Sequence, residues 1–364
     1  MRVTYQQILC AIDLSDASDR AIAYGIALAR EFQAHLLICH CIDLPAPSIY
    51  GEAYLAPEEQ LNRNIDYAGR WIAERMENSG VPWEPLLVVG HAADEINRVA
   101  RERSADITLT ATRGRRGLKR LLLGSVTERL MRTLTCPLLV VNSPEHKFVS
   151  TADQVIKIEK ILVGCDFSPD SGQALKHALS LAQEFQAELH LVHIIETPLY
   201  TETLKPVFAH RTVSPVVIQD FLQSKLDGLV PEDARHWCHP VTALEEGQPY
   251  ARLLGYAEAQ AIDLIVLGVR GHGLMGTLFV GSTTDRIIRQ APCPVLSVCP
   301  DARNAFDHEM VLALRDVFHL PPDSPETLRE LYGALGVDEV VYIADAESYE
   351  LLYMNEPFRK QWGH

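Results

Sequence analysis

The sequence predicts an α/β protein: two doubly wound parallel sheets, five strands each in the order 3-2-1-4-5, with a small C-terminal appendage. Three observations carry that prediction. Short apolar runs such as Leu264–Leu267 alternate with amphipathic stretches of helical length, the pattern of parallel strands covered on both faces by crossover helices. The chain repeats itself at a nearly constant spacing. Each copy also carries, after its fourth apolar run, a glycine-rich segment that leads into Gly-Ser and a helical pattern.

The repeat sets the domain boundaries. Ile8-Leu-Cys-Ala-Ile-Asp13-Leu-Ser15 returns as Ile161-Leu-Val-Gly-Cys-Asp166-Phe-Ser168, 153 residues later, and Phe32 and His40 return as Phe185 and His193 at the same offset. Gly114, Gly124-Ser125 and Cys136-Pro137 return as Gly271, Gly281-Ser282 and Cys293-Pro294 at an offset of 157. Four residues are therefore inserted between the second and third strands of the second copy. The domains expected are 1–145, 146–300 and an appendage over 301–364.

Taken in order, copy-one strands are expected near 7–12, 35–42, 85–89, 106–110 and 137–141. Copy-two strands are expected near 160–165, 188–195, 238–243, 262–267 and 294–298. Helices are expected over 17–32, 57–79, 93–103 and 125–134. Ser15 or Asp16, and Ser168-Pro169, are N-cap and first-turn signals for the first helix of each copy. Residues 142–153 read as a polar linker, and 300–304 as a second one. Helices are expected at 305–318 and 325–334, then a hairpin leading into a helix from Glu339 on. That last stretch resembles the opening strands of a PAS sensor domain, too short for a full PAS pocket; a dimerisation or packing appendage is the competing reading.

Composition and charge exclude several classes. With 47% apolar residues the chain has ample core, and no apolar run is long enough for a membrane span. The N-terminus runs straight into a strand pattern without a signal-peptide core. The formal charge is −15. Residues 1–150 hold 17 Lys/Arg against 18 Asp/Glu, residues 151–300 hold 11 against 17, and residues 301–364 hold 5 against 13. So acidic a chain is a poor nucleic-acid binder. The one basic concentration is Arg113, Arg115, Arg116, Lys119 and Arg120, which reads as an anion-facing loop.

The eight cysteines fall mostly in apolar runs and form no disulfide framework, so a reducing cytoplasm is the expected compartment. Cys39-His40-Cys41 lacks the paired spacing of a zinc site, and strand alternation separates His40 from its neighbours. His40 and His193 read as satisfied core or rim histidines. Gly271-His-Gly273-Leu-Met-Gly276 matches the dinucleotide fingerprint by letter, but it follows the fourth strand and copy one has no equivalent of Gly273. No P-loop, nucleophile elbow or His-Glu-x-x-His motif is present, and neither a catalytic residue nor a metal ligand is assigned.

The paired features that remain are an Asp after the first strand, the loop Gly268-x-x-Gly271-x9-Gly281-Ser282, and Cys-Pro before the last strand. Backbone N–H groups of such a loop, with a helix N-terminus behind them, make a phosphate seat. Over about residues 3–300 this pattern resembles tandem universal stress proteins. The resemblance implies a Rossmann-like fold of the adenine nucleotide alpha hydrolase type. It implies that the final strands of the two copies meet across a pseudo-dyad, and that ATP binds, with Mg2+ where hydrolysis occurs. In copy two it implies a site of Gly164, Asp166, Ile194, Leu267, Gly268, Arg270, Gly271, Gly281, Ser282 and Thr283. In copy one it implies Ala11, Asp13, Cys41, Gly114, Gly124, Ser125 and Val126. The aspartates would face adenine or ribose; the competing reading is a turn or N-cap role.

Copy one departs from the pattern with Ala111 where copy two has Gly268, so copy two is expected to bind more tightly. The function implied is a stress-related ATP-binding regulator, at most a slow ATPase, as an intrachain pseudo-dimer able to form a homodimer with an unknown regulatory partner. The alternative is a nucleotide-free scaffold or lipid or small-molecule binder that keeps the fold.

Overall fold

The computed structural model describes residues 3–42, 57–112, 124–141, 149, 155–196, 215–269, 281–299, 342–344 and 351–354. In copy one the elements are β1 (Gln7–Ile12), α1 (Asp16–Phe32), β2 (His35–Ile42), α2 (Pro57–Met76), β3 (Trp83–Val89), α3 (Ala92–Glu102), β4 (Ile107–Ala111), α4 (Ser125–Thr133) and β5 (Leu138–Val141). In copy two they are β6 (Lys160–Gly164), α5 (Pro169–Phe185), β7 (Glu188–Ile195), α6 (Pro215–Asp227), β8 (Pro240–Glu246), α7 (Pro249–Ala259), β9 (Leu264–Gly268), α8 (Ser282–Gln290) and β10 (Val295–Val298).

The strands form one continuous ten-stranded sheet, β3-β2-β1-β4-β5-β10-β9-β6-β7-β8. Each half has the order 3-2-1-4-5 with parallel pairing, and the two predicted sheets fuse where β5 and β10 run antiparallel. Val295 pairs with Val140, Leu296 with Leu139 and Ser297 with Leu138. The four residues of β5 and of β10 are all buried, so this seam is a core strand pair. Burying a Leu or Val side chain contributes roughly 1.5–3 kcal/mol, which explains why two short strands suffice to join the copies.

Two apolar layers sandwich the sheet and run through both copies. One collects Ile22 and Ile26 of α1, Ile72 and Met76 of α2 and Leu181 of α5 against Ile8, Cys10, Ile161 and Val163. The other collects Ile96 and Val99 of α3, Leu130 of α4 and Ile287 of α8 against Leu9, Leu138, Leu162 and Ile265. Phe32 and Phe185, at matched positions in the repeat, meet edge to face at 6.2 Å. The N-terminal segment also crosses between copies: the Val3 N–H donates to Ser180 Oγ at 2.8 Å.

The first helix of each copy follows a serine, but Ser15 makes no side-chain cap bond to α1 and its hydroxyl bonds Asp13 instead. Ser168 caps α5, its Oγ accepting the Ser171 N–H at 3.2 Å, with Pro169 in the first turn. Both α1 and α5 end on a left-handed glutamine, Gln33 (φ 53°) and Gln186 (φ 52°). The third strand of copy two begins later than its apolar pattern suggests and extends to Glu246. A short 3-10 turn, Asp233–His236, holds the chain back, with the Cys238 N–H bonded to the Ala234 carbonyl at 2.9 Å. That turn lies within the segment that holds the four-residue insertion.

Residues 1–301 and 302–364 are separate compact units. In the second, β11 (Tyr342–Ala344) and β12 (Leu351–Met354) pair antiparallel with an irregularity after Ile343. The helices expected at 305–318, 325–334 and after the hairpin lie outside the described residues.

Candidate functional site

In each copy the order of the strands reverses between the paired first and fourth strands, the place where open α/β sheets generally form a ligand crevice at their carboxyl ends. In copy two the chain leaves β9 at Gly268-Val269 and returns at Gly281. The Gly281 N–H donates to the Val269 carbonyl at 2.8 Å, and the Thr284 hydroxyl donates to the Gly268 carbonyl at 2.8 Å. Two bonds thus staple the loop's exit to its re-entry. Arg270 and Gly271 lie outside the described residues, as do Gly114 and the basic residues Arg113 to Arg120.

Helix α8 starts from Gly281 with extended backbone and no side-chain cap, and α4 starts from Gly124 in the same way. The first N–H groups of a helix have no intrahelical acceptor, and with the helix dipole they favour an anion. Gly124, Ser125 and Ser282 are exposed, and Val126, Gly281 and Thr283 are half-buried, so both helix starts face outward. Sequence reasoning named Ser282 and Thr283 but missed Thr284. Its recurrence as Thr127 at offset 157, both buried, was the available signal.

The two aspartates have the geometry of turn residues. Asp166 Oδ1 accepts the Ser168 N–H at 3.0 Å and the Ser168 hydroxyl at 2.5 Å. Asp13 Oδ1 accepts the Ser15 N–H at 3.1 Å and the Ser18 hydroxyl at 2.9 Å, and the Ser15 hydroxyl also bonds to it. The residue after each aspartate is left-handed: Leu14 at φ 56° and Phe167 at φ 63°. A non-glycine residue held there carries about 1 kcal/mol or more of strain. Its recurrence in both copies makes it a built feature of the crevice that the sequence did not reveal.

Several other residues that the sequence assigned to the site belong to the core or its edge. Ala11, Ile194 and Leu267 are buried. Gly164 is small because a Cβ there would stand 2.7 Å from Leu267 Cδ2; copy one carries Ala11 opposite the smaller Thr110. Cys41 is half-buried, its thiol donating to the Gly90 carbonyl at 3.0 Å.

The reason for Gly268 differs from the one read from sequence. The described glycines with left-handed φ are Gly80, Gly90 and Gly247, so Gly268 is not there for a positive φ. A Cβ on it would stand 2.7 Å from the Asp170 carbonyl carbon, 2.8 Å from Asp170 Cβ and 2.9 Å from the Asp170 carbonyl oxygen. Helix α5, not a ligand, excludes the side chain. In copy one Ala17 replaces Asp170, and Ala111 is accommodated. The substitution is a packing exchange, and the ground for ranking copy two as the tighter site falls.

His40 and His193 are satisfied in matched fashion: Nδ1 of each lies by the carbonyl of the residue before the aspartate, Ile12 at 3.1 Å and Cys165 at 2.7 Å. No group of three or more His, Cys, Asp or Glu side chains that could hold a metal gathers among the described residues. All eight cysteines are free thiols, and burial pushes Cys136 up to about 11. No helix among the described residues is long and apolar enough to cross a membrane.

Fold and helix starts define a class: a tandem α/β protein with two helix starts that lack a side-chain cap, one after the fourth strand of each half of one fused sheet. The profile of the universal stress protein family matches residues 4–142 and again 157–298, and the chain belongs to that family as a tandem member. It is 36% identical over 138 residues to a universal stress protein of Thermus aquaticus, covering 38% of this chain and 98% of the relative. It is 32% identical over 145 residues to one of Methanocaldococcus jannaschii, covering 39% of this chain and 85% of the relative. A solved universal stress protein of Archaeoglobus fulgidus shares the fold over 83% of this chain and 99% of its own, with a TM-score of 0.59 at 20% identity.

Proposed function

We propose that this protein is an ATP-binding regulator of the stress response, with one adenine-nucleotide crevice in each copy and at most slow hydrolysis. The observation that carries this reading is the stapled loop of copy two, which ends in an uncapped helix start that recurs in copy one. Glycine at both helix starts keeps side chains off the anion position, and Ser125 and Ser282 add a hydroxyl to each.

The residues fit a nucleotide triphosphate in kind: backbone donors at α4 and α8 for phosphates, and Asp13 and Asp166 on the first-strand side for adenine or ribose. Mg2+ would enter with the nucleotide and offset charge on its phosphates. Among the described residues no side chain is poised as a general base. The aspartate carboxylates hold their own loops, and the histidines hold strand-end carbonyls, so the chain's residues bind and orient. Residues 1–145 and 146–300 act as the two binding domains. The acidic segment 301–364 serves assembly or partner choice, with cytoplasm as the compartment and a homodimer as the assembly.

Native mass spectrometry of freshly purified protein tests this reading. A co-purified ATP, ADP or AMP mass supports it. A protein without nucleotide that also fails to take up added ATP supports the alternative, a scaffold or small-molecule binder that keeps the fold.

A further inference from the structure

Resting on the reading that both crevices take adenine nucleotide, we propose that they sort their ligands by charge. Arg20 makes the copy-one crevice the triphosphate site, and Asp170 makes the copy-two crevice prefer nucleotides of lower charge such as AMP.

The repeat makes the comparison direct. In copy one, half-buried Arg20 of α1 reaches under the end of β4, its Nη2 donating to the Thr112 carbonyl at 3.1 Å. Thr112 is the last residue before the glycine-rich loop. Arg20 Nε is buried there with no hydrogen-bond partner among the described residues. The matched residue in copy two is Gln173, which is neutral. Conversely, Asp170 of α5 is 8% exposed and stands against Gly268, under the end of β9. Its match in copy one is Ala17, a methyl group. An arginine thus bonds the root of one loop, and the backbone and Cβ of an aspartate stand at the root of the other.

Charges that are partly buried and within a Debye length of a ligand are screened little. Each added phosphate therefore gains attraction in copy one and meets repulsion in copy two. The nucleoside side of the ligand meets an aspartate in either copy, so the sorting falls on phosphate number.

Calorimetry with ATP and AMP in EDTA, where ATP keeps its full charge, tests the proposal. Gly281→Val leaves the copy-one crevice and Gly124→Val leaves the copy-two crevice. Copy one is expected to bind ATP about tenfold or more tighter than AMP. Arg20→Gln should erase most of that preference with AMP affinity kept, and Arg20→Lys should retain it. Copy two is expected to bind AMP at least as tightly as ATP, and Asp170→Asn should shift its preference toward ATP by about threefold or more. Equal ATP/AMP ratios in the two crevices, or ratios unmoved by these substitutions in folded protein, overturn the sorting. Absence of all nucleotide binding in wild-type protein instead overturns the reading on which the sorting rests.

Discussion

His193 Nδ1 lies 2.7 Å from the carbonyl oxygen of Cys165, the residue that precedes Asp166. The imidazole is 3% exposed and packs against Phe167 at 4.5 Å between ring centroids. One buried side chain therefore supports both the end of β6 and the left-handed residue that follows Asp166. In copy one His40 makes the same bond to Ile12 at 3.1 Å from a half-buried position.

His193→Ala is expected to destabilise the protein by about 1–3 kcal/mol, through the orphaned carbonyl and the lost packing. His40→Ala should destabilise it less, since water can reach that site. Urea denaturation of the two variants checks the order; an equal or reversed effect counts against the support role.

Gly268→Ala should destabilise copy two by roughly 1–3 kcal/mol, because its methyl group meets the Asp170 backbone. The reciprocal change, Ala111→Gly, should lower stability by at most about 1 kcal/mol through chain entropy. Thermal melts of both variants measure the contrast. A Gly268→Ala protein as stable as wild type would contradict the packing account.

Gln33 and Gln186 are exposed and left-handed at the ends of α1 and α5. Replacing either by glycine relieves the backbone strain of a side chain in that region, partly offset by greater freedom of the unfolded chain. Each change is expected to raise stability by roughly 0.5–1 kcal/mol, measured as a higher urea midpoint at unchanged slope.

His190 of β7 stands where copy one has Leu37. It is 2% exposed, with Nδ1 at 2.9 Å from the Tyr256 hydroxyl and Nε2 at 2.6 Å from the Glu188 carboxylate, poorly aligned for a hydrogen bond. Burial holds the imidazole below its ordinary value, against the opposing pull of Glu188. The unfolded chain therefore binds this proton more readily than the folded one. Stability is present above the ordinary histidine range and falls as pH drops through about 6.5 toward the lowered folded value. His190→Leu should flatten that fall. Melting temperatures at pH 7.5 and 5.5, compared between wild type and variant, show whether it does.

Much of the fold was legible because buried parallel strands read as apolar runs and the repeat checks each assignment twice. β1, β2 and β7 match their expected spans, and the four-residue insertion was visible as a change of offset from 153 to 157. The meeting of β5 and β10 came from family resemblance, since nothing local in four apolar residues encodes an antiparallel partner. That the motif residues fall at strand ends and helix starts was legible, whereas their packing was not. The pressure on Gly268 comes from Asp170, nearly one hundred residues away in the chain. The left-handed Leu14 and Phe167 carry none of the residue types that announce that conformation. The start of β8 was misread because the preceding 3-10 turn has no apolar period of its own.

The central claim is that the two helix starts hold nucleotide phosphates, and equilibrium dialysis of ATP tests it most directly. Wild-type protein is compared with Gly124→Val/Gly281→Val, in which both anion positions carry a side chain. The account predicts saturable ATP binding by wild type and its loss in a double variant that keeps its circular dichroism spectrum. Undiminished binding by the folded double variant, or no binding by wild type, would contradict it.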